Sequence, residues 1–164
     1  MIITTSRRPC GRSRKLCKEL ESVIPLSEYV LRGKKGLREL ITLSDEKGSE
    51  RLVIIASKGD TLSLIFYCGW QVLGELSGSV VLRKELHIPK MRPLSEDVPF
   101  LVQSEEEDAE GIAHLFGADQ YEGDNAYTFM VYKKGLIDFY RLDISEKTVG
   151  PRINIACVNY EGND

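Results

Sequence analysis

Little in this 164-residue chain is suited to redox or metal chemistry. Its four cysteines, Cys10, Cys17, Cys68 and Cys157, show no CxxC spacing. They read as free, small hydrophobes of a reducing compartment. Two histidines, His87 and His114, are too few for a His/Cys metal cage. No apolar run approaches the ~18 residues that span a bilayer. Arg7 and Arg8 follow the first apolar residues at once, so the start does not read as a signal peptide. No phosphate-binding glycine loop, dinucleotide fingerprint, nucleophile elbow or HExxH pair occurs. Acids are plentiful, yet no spacing singles out a catalytic pair. The residues offer no catalytic set, and no enzyme activity, cofactor, metal, membrane or small-molecule substrate is expected.

What is present is a charge asymmetry. The net charge of −3 hides a basic end on an acidic body. The first forty residues hold ten Lys or Arg against four Glu, a net of +6. The remaining 124 carry twelve bases and 21 acids, a net of −9. A concentrated basic patch on an acidic protein points to a polyanion, most simply nucleic acid. Hydrophobic content of 42% and charged content of 29% are ordinary for a globular chain of this length. Such a chain buries about 70% of its unfolded surface without disulfides or metal.

Hydrophobic periodicity predicts the elements. Residues 2–5 are a short β-branched strand. Leu16, Leu20, Val23 and Ile24 make one helical stripe ended by Pro25, with Arg14 and Lys18 on the opposite side and Lys15 on the flank. Residues 29–31 form a second strand. Leu37, Leu40 and Ile41 mark a second helix, stopped by Gly48. Residues 51–57 and 61–67 form a hairpin around Lys58-Gly59-Asp60. Strand-like material continues at 71–73 and 79–86, with Gly74 and Gly78 as bulges or turns.

Half of the prolines fall at 89, 93 and 99, which marks 87–99 as a crossover. A strand over 100–102 follows. Ser104 and Glu107 read as a capping box, with Glu105, Glu106 and Asp108 complementing a positive helix end. Ala109, Ile112, Ala113 and Phe116 form that helix's apolar face, and Gly117 ends it. Residues 126–132 and 136–142 form a second hairpin, and 153–158 a last strand. Each half thus orders strand and helix before antiparallel strands. Tyr127 and Phe129 share one face, where core packing is favoured over base stacking.

The N-terminal strand–turn–helix carries the chemistry. Thr4, Thr5 and Ser6 offer hydroxyls, and Arg7, Arg8, Arg12 and Arg14 offer guanidinium forks that grip phosphate oxygens bidentately. The helix start adds backbone N–H groups and a positive dipole end. Arg32-Gly33-Lys34-Lys35-Gly36 is a second basic segment, reading mainly as a turn whose glycines let backbone approach a phosphate.

The run Ile3-Thr4-Thr5-Ser6-Arg7-Arg8-Pro9, the helix Arg14-Lys15-Leu16-Cys17-Lys18-Glu19-Leu20 and Arg32-Gly33 closely resemble the entry motif of the Brix domain family of ribosome-biogenesis factors. Val149-Gly150-Pro151-Arg152 leading into Ile153-Asn154-Ile155 resembles that family's closing segment. Within the family the chain is most similar to the small-subunit-processome member and to short archaeal versions. The resemblance implies an α/β (α+β) fold of two tandem halves, each like the anticodon-binding domain of class IIa aminoacyl-tRNA synthetases. The expected division is one Brix domain over 1–164, with halves 1–86 and 100–164 joined by the crossover 87–99. It implies binding of rRNA, or of a guide RNA–pre-rRNA duplex, during rRNA processing and subunit assembly, with other assembly proteins as partners. A cytoplasmic location is expected, nucleolar in a eukaryote. The expected RNA-binding residues are Thr5, Ser6, Arg7, Arg8, Arg12, Arg14, Lys15, Lys18, Arg32, Lys34, Lys35, Arg38 and Arg152, the last set beside the N-terminal patch. The alternative is a protein-interaction module whose acidic helix around 105–110 docks a basic partner.

Overall fold

Four β-branched residues open the chain as β1 (Ile2–Thr5), all of them buried. The computed structural model describes residues 1–123 and 127–161. α1 (Gly11–Glu21) follows, with Leu16, Cys17 and Leu20 inward and Arg14, Lys15 and Lys18 exposed. Cys10 caps it: its sulfur accepts from the Ser13 N–H at 3.4 Å. β2 (Glu28–Tyr29) is shorter and earlier than the 29–31 expected. α2 (Leu37–Glu46), β3 (Leu52–Lys58) and β4 (Thr61–Cys68) fall where the pattern puts them. The turn that follows β4 carries the sole tryptophan, Trp70, at 66% exposure.

β5 (Gln71–Val81) corrects the reading at 71–86. One strand runs through Gly74 and Gly78, and both expected bulges lie beside these glycines. Residues 82–86 are not strand: the chain turns there, with Leu86 N–H donating to the Leu82 carbonyl at 3.1 Å. Residues 87–99 then connect to β6 (Phe100–Gln103) without helix or strand. α3 (Ala109–Phe116) ends at Gly117 in the left-handed region, φ 67°. β7 (Asp119–Gln120), β8 (Thr128–Lys133), β9 (Leu136–Arg141) and β10 (Arg152–Tyr160) complete the chain. Ala126, expected to open β8, lies outside the described residues.

Two further expectations are overturned. The capping box at Ser104 does not form, because the Ser104 hydroxyl donates to the Tyr132 carbonyl at 2.6 Å and accepts from the Glu106 N–H. The helix starts later, after Asp108, with no side-chain cap. Phe129 is not a core residue either. Thr128, Met130 and Tyr132 face the core, and Phe129 and Val131 lie half-buried on the other face. Tyr127 is outside the core as well, its hydroxyl donating to Asp143 at 3.0 Å.

All ten strands join in one mixed sheet, ordered β2-β1-β3-β4-β5-β10-β9-β8-β6-β7. One pairing scheme occurs twice. β1 lies parallel to β2 and β3, and β3-β4-β5 are antiparallel. β6 lies parallel to β7 and β8, and β8-β9-β10 are antiparallel. α1 and α3 cover one face over a shared core that includes Ile3, Leu16, Phe66, Ile112, Phe116 and Phe139. α2 covers the opposite face, packing Leu40 and Ile41 on Ile2, Leu52 and Ile54.

β5 and β10 pair antiparallel across the seam between the two runs. Gly74 and Gly78 permit the approach. A Cβ on Gly74 would lie 2.6 Å from the Asn159 carbonyl oxygen, and one on Gly78 would overlap the Asn154 carbonyl. Arg83 staples the same region. Its guanidinium donates to the Val149, Gly150 and Glu19 carbonyls at 2.6, 2.9 and 3.1 Å. Burial draws its pKa down to about 10, which leaves it charged at neutral pH.

Gly78→Ala is expected to destabilise the protein by about 2 kcal/mol or more, since backbone on both strands must give way. Gly11→Ala, where a Cβ meets open space, is expected to be neutral or slightly stabilising. Urea titrations of the two variants check the contrast.

Candidate nucleic-acid interface

The strand order β2-β1-β3, with α1 and α2 on opposite faces, makes a topological switch point beside β1. Ligands of such sheets bind in the crevice outside the carboxyl ends of the parallel strands, where the connecting chain departs in opposite directions. Here that crevice receives the chain leaving β1, which carries Arg7 and Arg8, and the chain leaving β2, which carries Arg32. Thr4 fixes the second chain by donating its hydroxyl to the Val30 carbonyl at 2.7 Å. Ser6 continues β1 by donating its N–H to the Ile55 carbonyl at 2.9 Å.

A concavity of about 250 Å³ opens there. Thr5 and Tyr29 line it, and Arg7, Arg14 and Arg32 converge on it from three segments. Leu31 stands at its rim, 70% exposed. Among the described residues none of these three arginines has a carboxylate within 4 Å. Arg32 donates through Nε to the Lys35 carbonyl at 2.7 Å. Its pKa is drawn down, first by burial and then by repulsion from Arg7. Guanidiniums brought together with no carboxylate in ion-pair contact, among the described residues, form a site for an external anion. Glu39, at the start of α2, is occupied with the Gly36 N–H at 2.7 Å.

The other expected residues divide. Arg8 and Lys34 are exposed beside the concavity, and Lys15 and Lys18 extend the positive surface along α1. Lys35, just before α2, and Arg38, in its first turn, share a second depression of about 360 Å³ with Glu39 and Glu46. Arg12 is withdrawn: it forms a bidentate pair with Glu85 at 2.8 and 3.0 Å and also donates to the Val80 carbonyl. Arg152 is likewise engaged, held by Asp138 at 2.8 and 3.1 Å on the sheet. Thr5 is 2% exposed and serves as floor.

Sequence reasoning passed over Cys10, which sits between Arg8 and Arg12 and is exposed. Burial pushes its thiol pKa up, but hydrogen bonds from the Ser13 and Ser57 hydroxyls and from the Ser13 and Arg12 backbone outweigh that and bring it down to about 7. Its place one residue before a helix was the available signal. A larger cleft of about 820 Å³ lies between the 87–99 segment and the β9–β10 connection. Its lining is also mainly basic: Lys90, Arg92, Lys147 and the Asp143-paired Arg141 stand there against Glu96, among apolar residues such as Met91 and Ile144. The acidic cluster is partly spent internally: Glu106 accepts from the Lys134 N–H at 2.9 Å and Asp108 from the Tyr132 hydroxyl at 2.7 Å. Among the described residues no group of His, Cys, Asp and Glu could hold a metal ion, and no helix is long and apolar enough to cross a membrane.

No family model matches the chain. Curated proteins do. A probable Brix domain-containing ribosomal biogenesis protein of Pyrococcus horikoshii is 34% identical over 184 aligned positions, covering 94% of this chain and 82% of the relative. The Thermococcus kodakarensis protein of the same description is 32% identical, covering 93% and 88%. Among solved structures, a probable ribosomal biogenesis protein of Aeropyrum pernix superposes with a TM-score of 0.74 at 19% identity, covering 99% of this chain and 96% of that one. Mil, an archaeal Imp4-like protein, superposes with a TM-score of 0.70 at 17% identity, covering 98% and 99%. The structural likeness shows the fold, the curated relatives show the descent, and the chain belongs to the Brix domain family.

Proposed function

We propose that this protein is an rRNA-binding ribosome-biogenesis factor that assists pre-rRNA processing and subunit assembly without catalysis of its own. The observation that carries the reading is the convergence of Arg7, Arg14 and Arg32 on one crevice without a paired carboxylate among the described residues. Phosphate oxygens of an rRNA strand, or of a guide RNA–pre-rRNA duplex, supply the missing anions. Arg8, Lys15, Lys18, Lys34, Lys35 and Arg38 widen the contact, and the Thr5 and Ser6 segment shapes its floor. Arg12 and Arg152 contribute less, because each already holds a carboxylate. Backbone contacts of this kind give affinity with little sequence preference.

The repeated pairing scheme supports two tandem halves, 1–86 and 100–164, about the crossover 87–99, each like the anticodon-binding domain of class IIa synthetases. The names of the relatives support the ribosomal role, and their archaeal source supports a cytoplasmic location.

If about five phosphates are neutralised, log–log salt plots of RNA affinity should have a slope near −3.5 on single strands and −4.5 on duplexes. The triple variant Arg7→Ala, Arg14→Ala, Arg32→Ala should flatten that slope by about 2 to 3 and weaken all RNA sequences alike. An unchanged slope counts against the site. Glu85→Gln should release Arg12 and steepen the slope by up to about 0.9. Alkylation of Cys10 by iodoacetamide should rise through pH 7, as the lowered pKa puts thiolate in the majority above that point. Bound RNA should slow it, because nearby phosphates disfavour the thiolate. Mass spectrometry of the labelled peptide with and without RNA reads this directly.

A further inference from the structure

The basic crevice is small, and it gathers more positive charge than one link of an RNA backbone brings. Thr5, Arg7 and Pro9 reach it from β1 and the chain leaving β1, Arg14 from α1, Tyr29 from β2 and Arg32 from the chain leaving β2. None of the residues lining it is acidic. The carboxylates just beyond are turned to backbone: Glu21 accepts from the Tyr29 N–H at 2.9 Å and Glu39 from the Gly36 N–H at 2.7 Å. At about 250 Å³ the concavity is smaller than the roughly 300–1,000 Å³ that encloses a drug-sized ligand.

A phosphodiester inside a strand brings a single negative charge, spread over its unbridged oxygens. A terminal phosphate brings about −1.5 to −2 at pH 7 and three acceptor oxygens. Guanidiniums from three segments match the terminal group better in charge and in the number of oxygens they can grip.

We propose that the crevice is a receptor for the terminal phosphate of an RNA strand, held between Arg7, Arg14 and Arg32. The end nucleoside stays at the rim, against Leu31, which is 70% exposed. The next phosphates of the strand lie on the exposed Arg8, Lys15, Lys18 and Lys34. Hydrolysis of an RNA strand leaves a phosphate on one of the two new ends, so such a site separates cut from uncut RNA. This inference rests on the RNA reading and adds that an end is preferred to the interior of a strand.

The test measures, by fluorescence anisotropy, binding of the full chain to one short RNA sequence carrying a 5′-phosphate, a 3′-phosphate or hydroxyls at both ends. A hydroxyl-ended strand two nucleotides longer supplies the same added charge as interior phosphodiesters. At least one phosphate-ended strand should bind about tenfold or more tighter than both hydroxyl-ended strands. Arg14→Ala and Arg32→Ala, with unchanged far-ultraviolet spectra, should each remove most of that preference. In the unaltered protein the preference should shrink from pH 6.5 to pH 5, as the free monoester takes up its second proton near pH 6 and comes to resemble a diester. The arginine and tyrosine side chains facing the phosphate titrate well above that range, and nearby Cys10, with a pKa of about 7, is mostly neutral across it. Equal binding of phosphate-ended strands and the longer hydroxyl-ended strand overturns the inference and leaves the RNA reading standing. Failure of every strand to bind overturns both. A preference that survives in both variants, or is undiminished at pH 5, overturns the inference, as does adenosine monophosphate binding as tightly as the phosphate-ended strand.

Discussion

The structure depends on β5 and β10 being able to touch. Without that seam the two strand runs would each end in an open edge, rich in unpaired backbone groups. With it, ten strands share one sheet and α1 and α3 share one core. The approach is possible because Gly74 and Gly78 have no side chain where the β10 carbonyls pass. Arg83 then fixes the same junction from the α1 side, binding carbonyls from residues 19, 149 and 150 that would otherwise be left dry. Backbone complementarity and one buried charge therefore decide the tertiary arrangement, and hydrophobic burial fills it in.

The basic crevice follows from chain topology together with local sequence. Strand order 2-1-3 brings the exits of β1 and β2 to the same end of the sheet, and both exits are arginine-bearing. The exit of β6, at the matching place in the second run, carries Glu105, Glu106, Glu107 and Asp108 instead. The two runs thus share an architecture and differ in charge at the corresponding edge. This is how an overall acidic chain keeps a localised positive field.

Local features were legible in the sequence and long-range pairings were not. β1, α1, α2 and the β3–β4 hairpin follow from periodicity and turn residues, which act over a few positions. Arg7 and Arg14 read as one group because they are close along the chain, whereas Arg32, read as part of a second basic segment, reaches the same crevice through the pairing of β2 with β1. The neutralisation of Arg12 was not, because Glu85 lies 73 residues away. The Ser104 cap failed for a similar reason: the Tyr132 carbonyl, 28 residues on, took its hydroxyl. Phe129 was put on the wrong face because residues 127–132 are apolar at both parities, so alternation could not say which side is inward.

Trp70 has a practical corollary. A lone indole at a hairpin tip, two-thirds in water, emits much as it would from an unfolded chain and is open to aqueous quenchers in the native state. Tryptophan fluorescence is therefore nearly blind to melting of the core, and cooperativity is better followed through the backbone amide signal. A blue shift of that indole would instead report something settling on the β4–β5 tip.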